Sequence, residues 1–121
     1  MQTLVLGAST KESRYSNRAI KLLRTKGYKV IAHGLREGKV SDVDIQTSLD
    51  GIENIHTVTL YLGSQNQVPF YDFIVNLNPE RVIFNPGTEN KEFQQMLDKN
   101  NIHWEEACTL VLLNIGAYGE N

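Results

Sequence analysis

Short apolar runs that end in glycine alternate with stretches whose apolar residues recur every three or four positions. "TLVLG" (3–7) reads as a buried strand stopped by a turn. The next stretch predicts a helix from Tyr15 or Ser16 to Lys26. Its apolar face is Ala19, Ile20, Leu22 and Leu23, Lys21 and Arg24 lie off it, and Gly27 suits the stop. "YKVIAHG" (28–34), "TVTLYLG" (57–63) and "RVIFNPG" (81–87) repeat the strand-then-turn pattern, and "IHW" (102–104) gives a last short strand. Between them, Phe70, Phe73, Ile74 and Leu77 form a helical stripe, with Pro69 suited to a first turn. Thr88 is expected to cap another helix, with Glu89 and Glu92 in its first turn and Phe93, Met96 and Leu97 on its apolar face. Residues 35–47 lack a clear period and predict a loop, with at most a short extended piece at 43–45. "SLDGIENI" (48–55) has room for one helical turn, and "CTLVLLNI" (108–115) for a short closing helix.

Strands alternating with helices predict an α/β fold, because short connections between parallel strands need a crossover. The expected architecture is a doubly wound parallel sheet of about five strands with helices on both faces. Ligands in such sheets bind beyond the carboxyl ends of the strands. Four loops there deserve chemistry: 7–14, 33–39, 62–66 and 85–88.

A chain of 121 residues suits one domain, 1–121. Its net charge of −2 gives no field for nucleic acid, and no apolar run is long enough to span a bilayer. No basic segment or long apolar core precedes "TLVLG", and Cys108 has no partner for a disulfide, so a reducing, cytoplasmic setting is expected. A domain this small is compatible with a homodimer. His56 and His103 stand apart from each other and from any CxxC or HxxxH spacing, so a metal site is not indicated.

The first loop, "GASTKESRYS", combines a turn at Gly7, hydroxyls at Ser9, Thr10, Ser13 and Ser16, and the fork of Arg14. Free N–H groups at the following helix start would add to an anion site, although any strand-to-helix turn favours Gly and Ser. Lys11 lacks the second glycine of a Walker loop. Ala8, Ser9 and Glu12 interrupt a dinucleotide fingerprint, and the second strand ends in His33 and Gly34 rather than an acid. Arg36 or Lys39 would suit a phosphorylated ribose instead. Tyr61 is the aromatic residue expected to reach the mouth. Pro86 and Gly87 force a turn before Thr88, which would aim a second helix start at the same crevice.

"LGASTKESRYSNRAIKLLRTKGYKVIAHG", "TVTLYL", "RVIFNPGTENKEF" and "NIHWEEACTLVLL" together resemble the small stand-alone CoA-binding domains. These are similar to the Rossmann-like N-terminal domain of the succinyl-CoA synthetase alpha subunit. The resemblance implies coenzyme A or an acyl-CoA as ligand. Gly7, Ala8, Ser9, Thr10, Arg14, Tyr15 and Ser16 would hold phosphates, and His33, Gly34, Leu35 and Arg36 would face the adenosine. Leu62, Gly63 and Ser64 would line the cleft, with Asn85, Pro86, Gly87 and Thr88 at the pantetheine end. Relatives carry Asn-Pro where this chain has Gly34 and Leu35. The synthetase's phosphohistidine domain has no counterpart here, so the resemblance implies binding without catalysis. Two other readings stay open: a reductase using an NADP-type cofactor, and a thiol-redox protein acting through Cys108.

Overall fold

The structure, a computed structural model, describes residues 1–119, so the last two residues of the expected 1–121 domain lie outside the described residues. The chain runs β1 (Gln2–Leu6), α1 (Tyr15–Thr25), β2 (Lys29–His33), β3 (Gly38–Val40), β4 (Val43–Gln46) and β5 (Thr57–Leu60). It continues through α2 (Ser64–Gln67), a 3₁₀ turn (Val68–Phe70), α3 (Tyr71–Leu77), β6 (Arg81–Phe84), α4 (Lys91–Lys99), β7 (Trp104–Glu106) and α5 (Thr109–Asn114). One sheet collects the strands in the order β3-β4-β2-β1-β5-β6-β7. Every pairing is parallel except β3 with β4. This is the Rossmann-like α/β architecture expected, with the strand order reversing on either side of β1.

The central strands are buried on both faces, as a parallel sheet requires. Leu4, Leu6, Val58, Leu60, Val82 and Phe84 pack on one face against Ile74, Phe93 and Leu97 from α3 and α4. Val5, Ala32 and Ile83 point the other way, against Ile20 and Leu23 of α1 and Leu113 of α5. The predicted helical stripes are therefore the ones that bury.

Seven strands replace the five expected, and the sheet is not wholly parallel. The stretch 35–47, expected as a loop, holds the β3–β4 hairpin. Its strands are short, so periodicity had little to work with. Ser41 takes φ 57° at the reversal, which lets β3 run back along β4. The helical turn expected within 48–55 is absent. Ser48 Oγ accepts from Asp50 N, and Gly51 at φ 79° and Asn54 at φ 58° turn the chain out of helical geometry. Ile52 and Ile55 still reach the core, so this crossover buries apolar surface without a helix. The helix expected with Pro69 in its first turn begins as the 3₁₀ turn and continues as α3, and the short α2, which the stripe did not mark, precedes it.

The C-terminal segment is fastened under the amino ends of the central strands. The Tyr118 hydroxyl shares a buried 2.6 Å hydrogen bond with Thr3 Oγ1. Arg81 donates to Tyr118 O at 2.7 Å and to Thr57 Oγ1 at 3.0 Å, and its guanidinium stacks 4.4 Å from the Tyr118 ring centre. Tyr28 packs edge-on against the same ring. Removing only the hydroxyl, in Tyr118→Phe, leaves Thr3 to find another partner. It should cost about 1 kcal/mol of unfolding free energy in denaturant titration.

Candidate functional site

The carboxyl ends of β2, β1, β5 and β6 bring the predicted loops into one crest. Gly7, at φ 93°, lies so close to β5 that a Cβ there would sit 2.8 Å from Tyr61 O and 3.1 Å from Leu62 Cδ2. On the other side, Gly7 N and Ala8 N both donate to His33 O, at 3.0 and 2.9 Å. Ala8 O then presses on Gly34, where any Cβ would collide with it. A glycine at this position is therefore a packing requirement of this chain. Thr10 rests its methyl on Gly38 of β3 in the same manner.

His33 was a candidate for ligand contact, and the structure gives it framework duties as well. It is buried, its Nε2 donates to Thr47 O at 3.1 Å, and its ring meets Phe70 edge-on at 5.4 Å. Leu35 beside it is 95% exposed, and Arg36 is exposed with no hydrogen bond or ion pair to another described residue. An apolar side chain and a free cation thus project from the end of β2.

The start of α1 is open. Arg14 occupies the cap position in extended geometry without a side-chain capping bond, and no acid lies in the first turn. Asn17 N and Arg18 N fold back to Arg14 O at 3.1 and 3.3 Å, while Tyr15 N and Ser16 N have no partner among the described residues. The positive end of an 11-residue helix is left uncompensated there. Arg14 is exposed, and Tyr15 is 65% exposed with Arg18 over its ring. Ser9 is partly turned inward: its Oγ accepts from Lys11 N and its carbonyl from Asn17 Nδ2 at 3.0 Å. Ser16 is buried.

The loops after β5 and β6 are joined by a buried amide pair that sequence reasoning did not single out. Gln67 donates from Nε2 to Leu62 O and Thr88 O, at 2.8 and 2.7 Å. Asn90 donates to Gln67 Oε1 at 2.9 Å and to the Tyr71 hydroxyl at 2.8 Å, while Tyr71 donates to Glu92. Gly63 and Ser64 lie exposed above this knot. Asn90, not Thr88, caps α4: its Oδ1 accepts from Phe93 N at 3.0 Å. Thr88 is committed elsewhere, donating to Asn85 O. Asn three residues before Phe93 is a capping signal in its own right. Nothing in the polar run around Gln67 marked that residue.

Asn85 is equally committed. It donates to Thr59 Oγ1 and Leu60 O and accepts from Thr109 N, tying β5, β6 and the start of α5 together. Of the four residues expected at the pantetheine end, Pro86 and Gly87 are exposed, while Asn85 and Thr88 are buried framework. Half-buried Cys108 immediately precedes α5. Tyr61 reaches under this corner: its oxygen lies beside the Thr59 and Thr109 hydroxyls, which bond each other at 2.8 Å, without a hydrogen bond of its own. Burial pushes its phenol up to about 12.

Two open grooves lie over β2 and the β3–β4 hairpin, one towards the amino ends of the strands and one beside the crest, where Gly38 meets the Thr10 methyl and Thr47 O meets His33. One is lined by Arg24 at the far end of α1 together with Lys29 and Asp42, the other by Glu37, Lys39 and Asp44. Ion pairs between Arg24 and Asp42 at 2.8 Å and between Lys39 and Asp44 at 3.5 Å already occupy four of these six charges. Exposed Arg14 and Arg36, without ion pairs among the described residues, and the free N–H groups of Tyr15 and Ser16 lie together at the crest, which makes it the candidate site. Among the described residues no cluster of His, Cys, Asp and Glu could hold a metal ion, and no helix is long and apolar enough to cross a membrane.

Residues 1–114 match the family described as a CoA binding domain. The fold is similar to a crystal structure described as that of an uncharacterized protein, with 42% identity, a TM-score of 0.92 and 96% of each chain covered. It is also similar to a structure from Thermus thermophilus, at 18% identity and TM-score 0.85, covering 96% of this chain and 89% of that one. A hypothetical protein from Pyrococcus horikoshii OT3 matches at 21% identity and TM-score 0.84, over 97% and 83% of the two chains. None of the curated proteins matches the sequence.

The Tyr61 environment has a consequence in alkali. A phenol raised to about 12 in the fold, against about 10 unfolded, adds stability that is whole below pH 10 and lost as pH rises towards 12. The denaturation midpoint should fall across that window, and fall less in Tyr61→Phe. Absorbance at 295 nm should lose its latest-titrating component in the same variant.

Proposed function

The chain belongs to the CoA-binding domain family, and on that premise we propose that it binds coenzyme A or an acyl-CoA at this crest, without catalysis of its own. The observation that carries the proposal is the open start of α1. Two unpartnered N–H groups, an uncompensated helix dipole and the exposed Arg14 guanidinium all favour an anion at one place. A pyrophosphate satisfies all of these at once.

The rest of the molecule is assigned outward from that point. The adenosine would lie along His33, Gly34, Leu35 and Arg36, with Leu35 offering an apolar surface and Arg36 a fork for the 3′-phosphate. Pantetheine would run past Leu62, Gly63 and Ser64 towards Pro86 and Gly87. Asn85 and Thr88 would shape that wall from behind, since their side chains are spent on the protein. Gly7 and Ala8 would serve by letting the loop turn tightly against β2 and β5. No acid at the end of β2 is placed to take a ribose diol, which favours this reading over a nicotinamide cofactor.

Calorimetric titration tests the proposal. CoA should bind with measurable heat, and Arg14→Ala should raise Kd roughly tenfold to a hundredfold, the worth of a hydrogen bond to a charged group. Arg36→Ala should erase a preference for CoA over dephospho-CoA. Absence of heat and of a thermal shift at millimolar CoA would overturn the assignment. Tighter binding of NADPH would favour the reductase reading. Exchange with oxidised CoA that leaves a mixed disulfide on Cys108 and releases CoA thiol would favour the thiol-redox one.

A further inference from the structure

We infer that Asn17 is a positioning residue whose side chain turns the Ser9–Thr10 peptide so that Thr10 N–H faces an anionic ligand. The inference rests on the crest being the phosphate site, but not on the phosphate belonging to CoA. Asn17 lies on the inner face of α1, 2% exposed, and donates from Nδ2 to Ser9 O at 3.0 Å across eight positions of sequence. Ala8 is held on one side by His33 O, and Lys11 is held within the loop by Ser9 Oγ and by Arg14 N. Between them, Asn17 makes the one hydrogen bond from outside the loop that reaches the backbone of residues 9 and 10, among the described residues.

The geometry of a trans peptide does the rest. Its C=O and N–H point in opposite directions, and no cis bond occurs among the described residues. With Ser9 C=O drawn inward to a buried amide, Thr10 N–H is directed away from the core. It has no partner among the described residues, and Thr10 is exposed. This adds a third free N–H to those of Tyr15 and Ser16.

The amide is retained at a cost to the fold. Asn17 Oδ1 is buried without any hydrogen-bond partner, which an apolar residue of the same volume would avoid. The orientation of the amide is set by Ser9 O, which only the NH₂ side can satisfy. Stability alone therefore favours leucine here, and the useful atom is Nδ2.

Asn17→Leu separates the two roles. Its melting temperature should equal or exceed that of the parent, while Kd for CoA and for inorganic pyrophosphate rises about tenfold, the effect of losing one well-placed donor. In ¹⁵N-labelled parent protein the Thr10 amide proton should move downfield on adding either ligand, and in Asn17→Leu it should not. Unchanged pyrophosphate affinity in the variant, or a Thr10 resonance that stays still in the parent, overturns the inference. Should Asn17→Leu fail to fold, Asn17→Ala, which also lacks the donor, takes its place with the same expected and overturning results for affinity and for the Thr10 resonance. Pyrophosphate binding that Asn17→Leu weakens, without any CoA binding, removes the CoA assignment and upholds Asn17. CoA binding that Asn17→Leu leaves intact does the reverse, and binding of neither ligand removes both.

Discussion

The carbonyl of His33 is the point on which the crest depends. It receives both Gly7 N–H and Ala8 N–H, so the exits of β1 and β2 are fastened to one oxygen. That bond pulls the first loop down until Ala8 O rests on Gly34 and Gly7 rests on Tyr61 O. Neither contact tolerates a Cβ, so two glycines far apart in sequence answer to one packing constraint. With the loop seated this way, α1 begins at the crest with its first N–H groups facing out. The anion-attracting end of the helix is thus a result of backbone packing before any charged side chain is considered.

Around that seat, buried polar side chains act as ties. Asn85 joins β5, β6 and α5, and the Gln67–Asn90 pair joins the loop after β5 to the loop after β6. Each group in these ties is hydrogen-bonded, so burying them carries little penalty and fixes one arrangement of the loops. The exceptions are informative. Asn17 Oδ1 and the Tyr61 oxygen are buried without partners, and both belong to the segments that frame the mouth. A network optimised only for stability would not leave them so.

The β3–β4 hairpin changes the shape of the molecule on one side. A helix between β2 and the next parallel strand would cover the sheet there, whereas the hairpin extends it and leaves Lys39 and Asp44 to pair in solvent. Gly38 of the hairpin receives the Thr10 methyl, so this small departure from a regular doubly wound fold also buttresses the first loop.

Much of this was legible from residue order alone. Apolar runs ending at Gly7 and Gly34, and stripes such as Phe70, Phe73, Ile74 and Leu77, specify strands and helices because periodicity and turn chemistry are local properties. Gly7, Arg14 and the helix after them were recognisable for the same reason. The sequence could not show that 35–47 contains two strands, since a three-residue strand has no period and is stabilised by its partner. It could not show that Asn90 rather than Thr88 caps α4, because Thr88 is claimed by Asn85 only once β6 has turned. Nor could it show the work of Asn17, Gln67 and Tyr118, which bond to groups eight to more than a hundred positions away. Local pattern determined the elements and their order; tertiary structure decided which polar groups are spent on the fold and which remain free for a ligand, because that depends on what folding brings within hydrogen-bond reach.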